Sequence, residues 1–461
     1  MDALHEFIAE AEKNAFDTEL HKKIRFNINR YQRKVVQGKA QYTDLEGARQ
    51  RAKNLKYKAI EHLDSYLLDF EKNFTRNGGK IIWARDEKDA IEAIMEITAN
   101  RNARKVVKSK SMVTEEIHLN THLENAGIKV IESDLGEFIV QMAGETPFHI
   151  VTPAMHKSKE DVARLFHEKF DTPPDASPEE LTLKARELLR NEYITADIGI
   201  TGVNFILPDI GGIAITENEG NARLSTTYPP VHIAIAGIEK MIPTYEDLAH
   251  FWPLLATYGT GQRLTVYNSV LTGPKGGNEV DGPEEMYVIL LDNGRSRLLK
   301  DPAIRESLYC IRCGSCLNAC PVYQSIGGHN YHSPYSGPIG AVISPHLFGM
   351  ENYGHLSYAS SLCGSCTENC PVNIQLHELL LKNREIAVDE GLILKKEKLG
   401  WKLWRKGMMK RKRLNRASAS LKSFVLRYLF KKTWGKRREL PLFPSKSFNQ
   451  QWRDQLNGKN K

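Results

Sequence analysis

The sequence predicts an α/β protein: a helical lead-in (residues 1–76), an α/β domain (77–295), a helical cysteine-bearing domain (300–385) and a basic extension (386–461). Three observations carry this reading. Short apolar runs alternate with helical periodicity from Lys80 onward, all seven cysteines fall between Cys310 and Cys370, and about eighteen Lys and Arg face one acid, Glu397, between residues 395 and 438. A chain of 461 residues is too long for one ordinary core, so several structural units are expected.

Over the first 70 residues, acids, bases and Ala/Leu recur without strand alternation, and Gly and Pro are nearly absent, which predicts helix. Asn77-Gly78-Gly79 breaks the pattern. Residues 80–84 (KIIWA) then read as a short buried strand, 86–99 as a helix, 105–108 (KVVK) as the next strand, 111–127 as helix and 128–131 as strand. Strand–helix–strand repetition with short connections predicts a parallel or mixed sheet. Residues 197–201, 212–216 and 232–237 are expected to extend it, and 286–291 to close it. Residues 273–282 and 295–300 read as linker, and 376–391 as a helix before the basic tail.

Hydrophobic content of 41% and charged content of 26% exclude a disordered chain. No apolar run approaches the ~20 residues that span a bilayer. The start, MDALHEFIAEAEKNAF, has early acids and no apolar stretch before a cleavage site, so the expected location is the cytoplasm. The net charge of +8 belongs to the tail, whose local excess near +17 leaves the remainder of the chain at about −9.

An odd number of cysteines in one short segment of a reduced protein points to metal-ligating thiolates rather than disulfides. The first run is Cys310-x-x-Cys313-x-x-Cys316-x-x-x-Cys320-Pro321, the bacterial ferredoxin spacing. Three thiolates at steps of three reach three irons of one cubane, and the fourth, followed by proline, ligates the other cluster. The second run supplies Cys363-x-x-Cys366-x-x-x-Cys370-Pro371, with Ser360 where the pattern calls for another cysteine. Cross-ligation then assigns Cys310, Cys313, Cys316 and Cys370 to one complete [4Fe–4S] cluster, and Cys320, Cys363 and Cys366 to a second that is one thiolate short. Three arrangements fit the shortfall: a second cubane with an oxygen ligand or open iron, such as Ser360; a [3Fe–4S] cluster; or the first cluster alone. Two cubanes rank first. Structural zinc also takes Cys-x-x-Cys pairs, but it does not explain two Cys-Pro endings. The polar insert between the runs, with His329, Tyr331, His332 and Tyr335, fits a helical-ferredoxin arrangement that passes electrons beside an oxidoreductase.

In the α/β domain, Lys108 and Lys110 follow a strand and open a helix, a place where an anion can be held; the plain alternative is a solvated strand end with Ser111 capping the helix. Glu217, Asn221 and Arg223 follow an apolar strand, where α/β folds place ligands; the alternative is a polar turn around Gly220. Residues 259–263 and 273–277 are glycine-rich but match no dinucleotide or phosphate loop, and no Ser–His–Asp or zinc-hydrolase signature is present.

The stretches KSKSMVTEEIHLN, ESDLGEFIVQ, PFHIVTPAMH and ADIGITGVNFILPDIGGIAITENEGNARL resemble the LUD domain of lactate utilization proteins. Together with CIRCGSCLNACPVY, SLCGSCTENCPVNIQLHELL and the basic tail, the chain resembles the lactate utilization protein B family over nearly its whole length. That resemblance implies a LUD-type fold like that of sugar isomerases and CoA transferases. It also implies two [4Fe–4S] clusters on the seven cysteines, a serine at 360 as a family trait, and a cytoplasmic three-protein system oxidising L-lactate to pyruvate. No catalytic residue carries over. The chain is expected to be the electron-transfer subunit, or alternatively to oxidise lactate on its LUD domain with the clusters as internal acceptors.

Trp401, Trp404, Phe424, Tyr428, Phe430 and Trp434 interleave with the basic residues of the tail. The expected partner is an acidic protein of the same system, since charge complementarity speeds encounter. A membrane surface comes second, with residues 421–430 at the interface. Nucleic acid comes last, because no binding fold accompanies the charge.

Overall fold

The computed structural model describes residues 2–393, 395–410, 418–434 and 439–459. It divides into two compact units, Met1–Ala387 and Val388–Lys461. The lead-in, the α/β part and the cysteine segment therefore share one unit.

Four helices open the chain: α1 (Asp2–Asn14), α2 (Thr18–Lys39), α3 (Leu45–Glu61) and α4 (Leu63–Arg76). Aspartates start two of them. The Asp17 carboxylate accepts the Leu20 N–H at 2.9 Å, and that of Asp44 accepts the Gly47 N–H at 2.8 Å; each cap is worth about 1 kcal/mol. Helix α4 carries Leu63, Leu67, Phe70 and Phe74 on one buried stripe, the spacing of a helix laid on a sheet.

That sheet has six parallel strands in the order β1-β9-β7-β4-β2-β3. They are β1 (Lys80–Ala84), β2 (Lys105–Lys108), β3 (Lys129–Glu132), β4 (Ile198–Gly202), β7 (Val231–Gly237) and β9 (Glu285–Leu291). Both faces are covered, so the central strands are apolar at nearly every position. Val231, Ile233 and Ile235 of β7 pack with Ile91 and Ile94 of the helix Glu87–Asn100. Ala234 and Ala236, on the opposite face, pack with Phe70 and Phe74 of α4. The sequence reading of an α/β fold holds.

Three local expectations are corrected. Residues 212–216 do not extend the parallel sheet: β6 (Gly212–Glu217) pairs antiparallel with β5 (Phe205–Leu207) and β8 (Tyr267–Leu271), because the turn at 208–211 sends the chain straight back. The 111–127 helix is two helices, Met112–Glu116 and Leu119–Asn125, broken at His118 with φ of 48°. Residues 295–300 are not linker but the helix Arg295–Lys300, anchored by the buried Arg295.

Gly199 in β4 is needed for close approach, since a β-carbon there would lie 1.8 Å from the Ser225 carbonyl oxygen. Gly199→Ala is expected to lower stability by about 1–3 kcal/mol through overpacking, read as a reduced midpoint in chemical denaturation.

The second unit contains helices Lys395–Met408, Ala419–Trp434 and Phe448–Lys459. Trp401, Trp404, Phe424 and Tyr428 are exposed on it. The side chains of Phe430 and Trp434 lie outside the described set, as do residues 411–417 and 435–438 of the basic stretch. Among the described residues, no helix is long and apolar enough to cross a membrane.

Candidate metal centre

Each cysteine run is a tight loop feeding a short helix. In the first, Gly314 opens the helix Ser315–Ala319, and Cys320-Pro321 starts the next, Pro321–Ile326. In the second, Gly364 opens Ser365–Glu368 and Cys370-Pro371 follows. All seven cysteines are free thiols, five are buried, Cys310 is half-buried and Cys363 is exposed.

The chain brings Cys310, Cys313, Cys316 and Cys370 to one cavity of about 20 Å³, whose walls are Arg312 and otherwise mainly apolar residues such as Ile150, Ile339 and Leu376. Cys320, Cys363 and Cys366 form a separate group: Cys363 is close enough to raise Cys320 electrostatically, and both act in the same way on Cys366. Burial pushes the Cys370 thiol up to about 12 and that of Cys366 up to about 11, and raises Cys313, Cys316 and Cys320 as well. Buried thiols of this kind ionise only when a metal takes the charge. Four convergent sulfurs in an apolar, oxygen-poor pocket are the donor set that selects iron–sulfur clusters or zinc over hard cations, so the residues present fit the group.

The lead-in helices fasten this segment. The Arg49 guanidinium donates to the Cys370 carbonyl at 3.0 Å and to that of Glu368 at 3.1 Å. Gln32 donates to the Asn318 carbonyl at 3.2 Å.

Behind the first group lies a buried ionic network that the sequence reading missed. Arg295 forks onto both Glu116 oxygens at 2.8 Å and donates to Glu239 at 2.5 Å. Arg312, inside the first cysteine run, reaches Glu239 at 3.3 Å and stacks over the Tyr335 ring, 4.6 Å from its centre. Against the push of burial, Arg295 holds Glu239 down to about 2. Two buried lysines also act electrostatically on Cys310; burial lowers Lys56 to about 7 and, helped by Arg312, Lys240 to about 8. Arg312 sits between two ligand-spaced cysteines, the one signal in the sequence that pointed here.

The residues expected to bind a ligand in the α/β domain divide. Lys108 is wholly buried, with its ammonium on Glu132 at 2.8 Å and Glu115 at 3.2 Å. That corrects the expectation of an anion site at Lys108, because its charge is already neutralised by carboxylates from neighbouring elements. Glu217 accepts the Ala222 and Arg223 N–H groups at 2.7 and 2.8 Å, capping the helix Asn221–Thr227. Asn221 is buried with its carbonyl taken by Ser225, and the exposed Arg223 lies over the Tyr267 ring.

Lys110 is better placed. Together with Asp134 and Glu217 it acts on Glu219, which burial and then Asp134 raise to about 7. The Lys110 ammonium donates to the Val151 carbonyl at 2.8 Å, and the adjacent Ile150 lines the four-cysteine cavity. His149, next in the chain, is lowered to about 3 by burial and by Lys110, and a β-carbon on Gly314 would lie 3.2 Å from its ring. Residues 149–151 thus join this polar edge of the sheet to the first cysteine loop.

Comparison with known proteins covers both parts. The LUD domain family matches residues 67–291, and the 4Fe-4S dicluster domain family matches residues 306–374. A lactate utilization protein B from Geobacillus sp. (strain WCH70) is 50% identical over 345 residues, 74% of this chain and 72% of that one. Another, from Anoxybacillus flavithermus (strain DSM 21510 / WK1), is 44% identical over 399 residues, 86% and 84% of the two chains. An uncharacterized electron transport protein, YkgF of Escherichia coli (strain K12), is 44% identical over 371 residues, 78% of each. With identity at this level over most of both partners, the chain belongs to the lactate utilization protein B family.

Proposed function

We propose that this chain is the iron–sulfur electron-transfer component of a system oxidising L-lactate to pyruvate. In this reading Cys310, Cys313, Cys316 and Cys370 hold one [4Fe–4S] cluster, and Cys320, Cys363 and Cys366 hold a second. The observation that carries it is the separation of seven thiols into two groups, each drawing on both runs. Family membership supplies the lactate system, and with it partner proteins.

Bound clusters would supply one-electron steps, so the two electrons released with two protons per lactate can be taken up singly. The protein's own part is environment. Mainly apolar walls surround the first group, and Arg312 with Lys240, and Lys56 in part, sets positive charge beside Cys310, which favours the reduced form of a cluster there. The exposed Cys363 leaves the second group nearer solvent, on the side where an outside donor or acceptor can approach. The basic tail is the proposed contact for an acidic partner, with peripheral membrane contact as the second choice.

A second reading puts lactate oxidation on the α/β part itself. What favours it is the Lys110–Val151 bond, which sets a basic residue and three carboxylates one residue away from the wall of the cysteine cavity. Dye-linked lactate oxidation separates the two. The first reading predicts turnover only when the partner proteins are added. Turnover by the purified chain alone would replace it with the second, and Lys110→Met should then abolish that activity.

A further inference from the structure

The two cysteine runs are a structural repeat with an offset of fifty residues, and Ser360 occupies in the second the place of Cys310 in the first. The sequences C-I-R-C-G-S-C-L-N-A-C-P and S-S-L-C-G-S-C-T-E-N-C-P share Cys-Gly-Ser-Cys and the terminal Cys-Pro. The backbone repeats as well. Arg312 and Leu362, two residues after the first position, both adopt the left-handed region, with φ of 60° and 55°. That conformation is rare outside glycine and strained for other residues, so its occurrence at matching positions marks a required loop shape. Gly314 and Gly364 follow at φ of 77° and 81°, and each opens a short helix.

The shared loop shape has a specific consequence at its first residue. In the first run the Arg312 N–H donates to the Cys310 sulfur at 3.4 Å. In the second the Leu362 N–H donates to the Ser360 hydroxyl oxygen at 3.1 Å. The same backbone donor thus fixes a sulfur in one loop and an oxygen in the other. The remaining members of each set repeat too: Cys313 and Cys316 match Cys363 and Cys366, and each set is completed by the last cysteine of the opposite run. Cys370 acts on Cys313 and Cys316 of the first set, and Cys320 on Cys366 of the second, with Cys363 acting on Cys320 in turn. The first set has four donors with Cys310 included. The second has three sulfurs and, at the matching place, Ser360.

We propose that the Ser360 hydroxyl oxygen is the fourth protein ligand of the second cluster, giving a [4Fe–4S] site with three sulfur ligands and one oxygen. The inference rests on the reading that Cys320, Cys363 and Cys366 hold a cluster. On ligation the oxygen–hydrogen bond of Ser360 breaks, an oxygen–iron bond forms, the proton leaves to solvent and no electron moves. The hydrogen bond from Leu362 stays in place, as its counterpart on Cys310 would. Ser360 is half-buried next to the exposed Cys363, so a departing proton has a route to water. Arg384 donates to the Ser360 carbonyl at 3.4 Å, which places a guanidinium beside the loop and helps an anionic oxygen there. An oxygen ligand in place of sulfur makes one iron of the second cluster distinct from the other seven, and easier to lose.

The test is ⁵⁷Fe Mössbauer and EPR spectroscopy on the anaerobically purified full chain, with Ser360→Ala and Ser360→Cys beside it. The proposal expects about eight irons in the unaltered protein, one distinct from the rest, and no three-iron signal in the oxidised state. Ser360→Ala should fall to about seven irons and gain that oxidised-state signal, with the first cluster's reduced signal intact. Ser360→Cys should keep eight and lose the distinct iron. If Ser360→Ala matches the unaltered protein in iron count and spectrum, or if the unaltered protein already shows a three-iron signal, Ser360 is not a ligand and the electron-transfer reading stands. If the unaltered protein holds only about four irons, the two-cluster reading fails with it.

Discussion

Cys320→Ala is expected to strip the second cluster and spare the first, while Cys370→Ala should do the reverse, each at a cost of about three to four irons per chain. Both outcomes cross the order of the sequence, since Cys320 belongs to the first run and Cys370 to the second. The physical reason is the proline that follows each. Cys320 begins the helix Pro321–Ile326, and the Val322 and Tyr323 N–H groups turn toward its sulfur, away from the loop that holds Cys310, Cys313 and Cys316. Val372 and Ile374 treat Cys370 in the same way, and that sulfur lines the cavity of the first group. Iron analysis with EPR on the two variants decides the matter. If Cys320→Ala removed the signal that Cys316→Ala also removes, each run would hold its own cluster and the assignment would be wrong.

Arg295→Met is expected to cause a large loss of stability. Arg295 is the common partner of Glu116 and Glu239, all three essentially without solvent exposure. Removing it leaves the buried Glu116 carboxylate to the neutral donors Asn293 and Tyr335, and Glu239 to the more distant Arg312; breaking such a buried pair costs about 3–5 kcal/mol. Methionine keeps most of the volume, so the loss isolates charge from packing. The pH dependence has a definite sign. Glu239 is depressed to about 2 in the folded protein, against about 4.3 when unfolded. Its contribution is therefore complete above the unfolded value and is lost as pH falls from there toward 2. The gap between Arg295→Met and the unaltered protein should be wide at pH 7 and narrow steadily below about pH 4.3. Urea denaturation across that range measures it, and a gap independent of pH would mean that the network is not what the arginine supports.

The parallel sheet could be read from the sequence because its central strands are buried on both faces: β7 and β9 are mainly apolar, and β2 carries Val106-Val107 between two lysines. β5 and β8 escaped notice for opposite reasons. Phe205–Leu207 is only three residues long, and Tyr267–Leu271 is half-exposed and lies among polar residues. The fate of charged residues was the least legible. Lys108 looks like a free ammonium at a strand end until Glu132, on the neighbouring strand, is brought to 2.8 Å. Arg295 sits in RSRLLK, a segment with the composition of a linker, and its burial depends on carboxylates 179 and 56 positions away. Such pairings carry no local pattern. Cysteine spacing is different: each cysteine loop is short, and its pattern is written into consecutive residues, where it can be read without any long-range contact.

The most direct measurement is iron and acid-labile sulfide content of the anaerobically purified chain, combined with EPR before and after reduction. Two clusters that carry electrons predict about eight irons with matching sulfide, silence in the oxidised state, and two interacting signals on reduction. Zinc without iron, or iron that no reductant can reduce, would contradict an electron-transfer role for this protein.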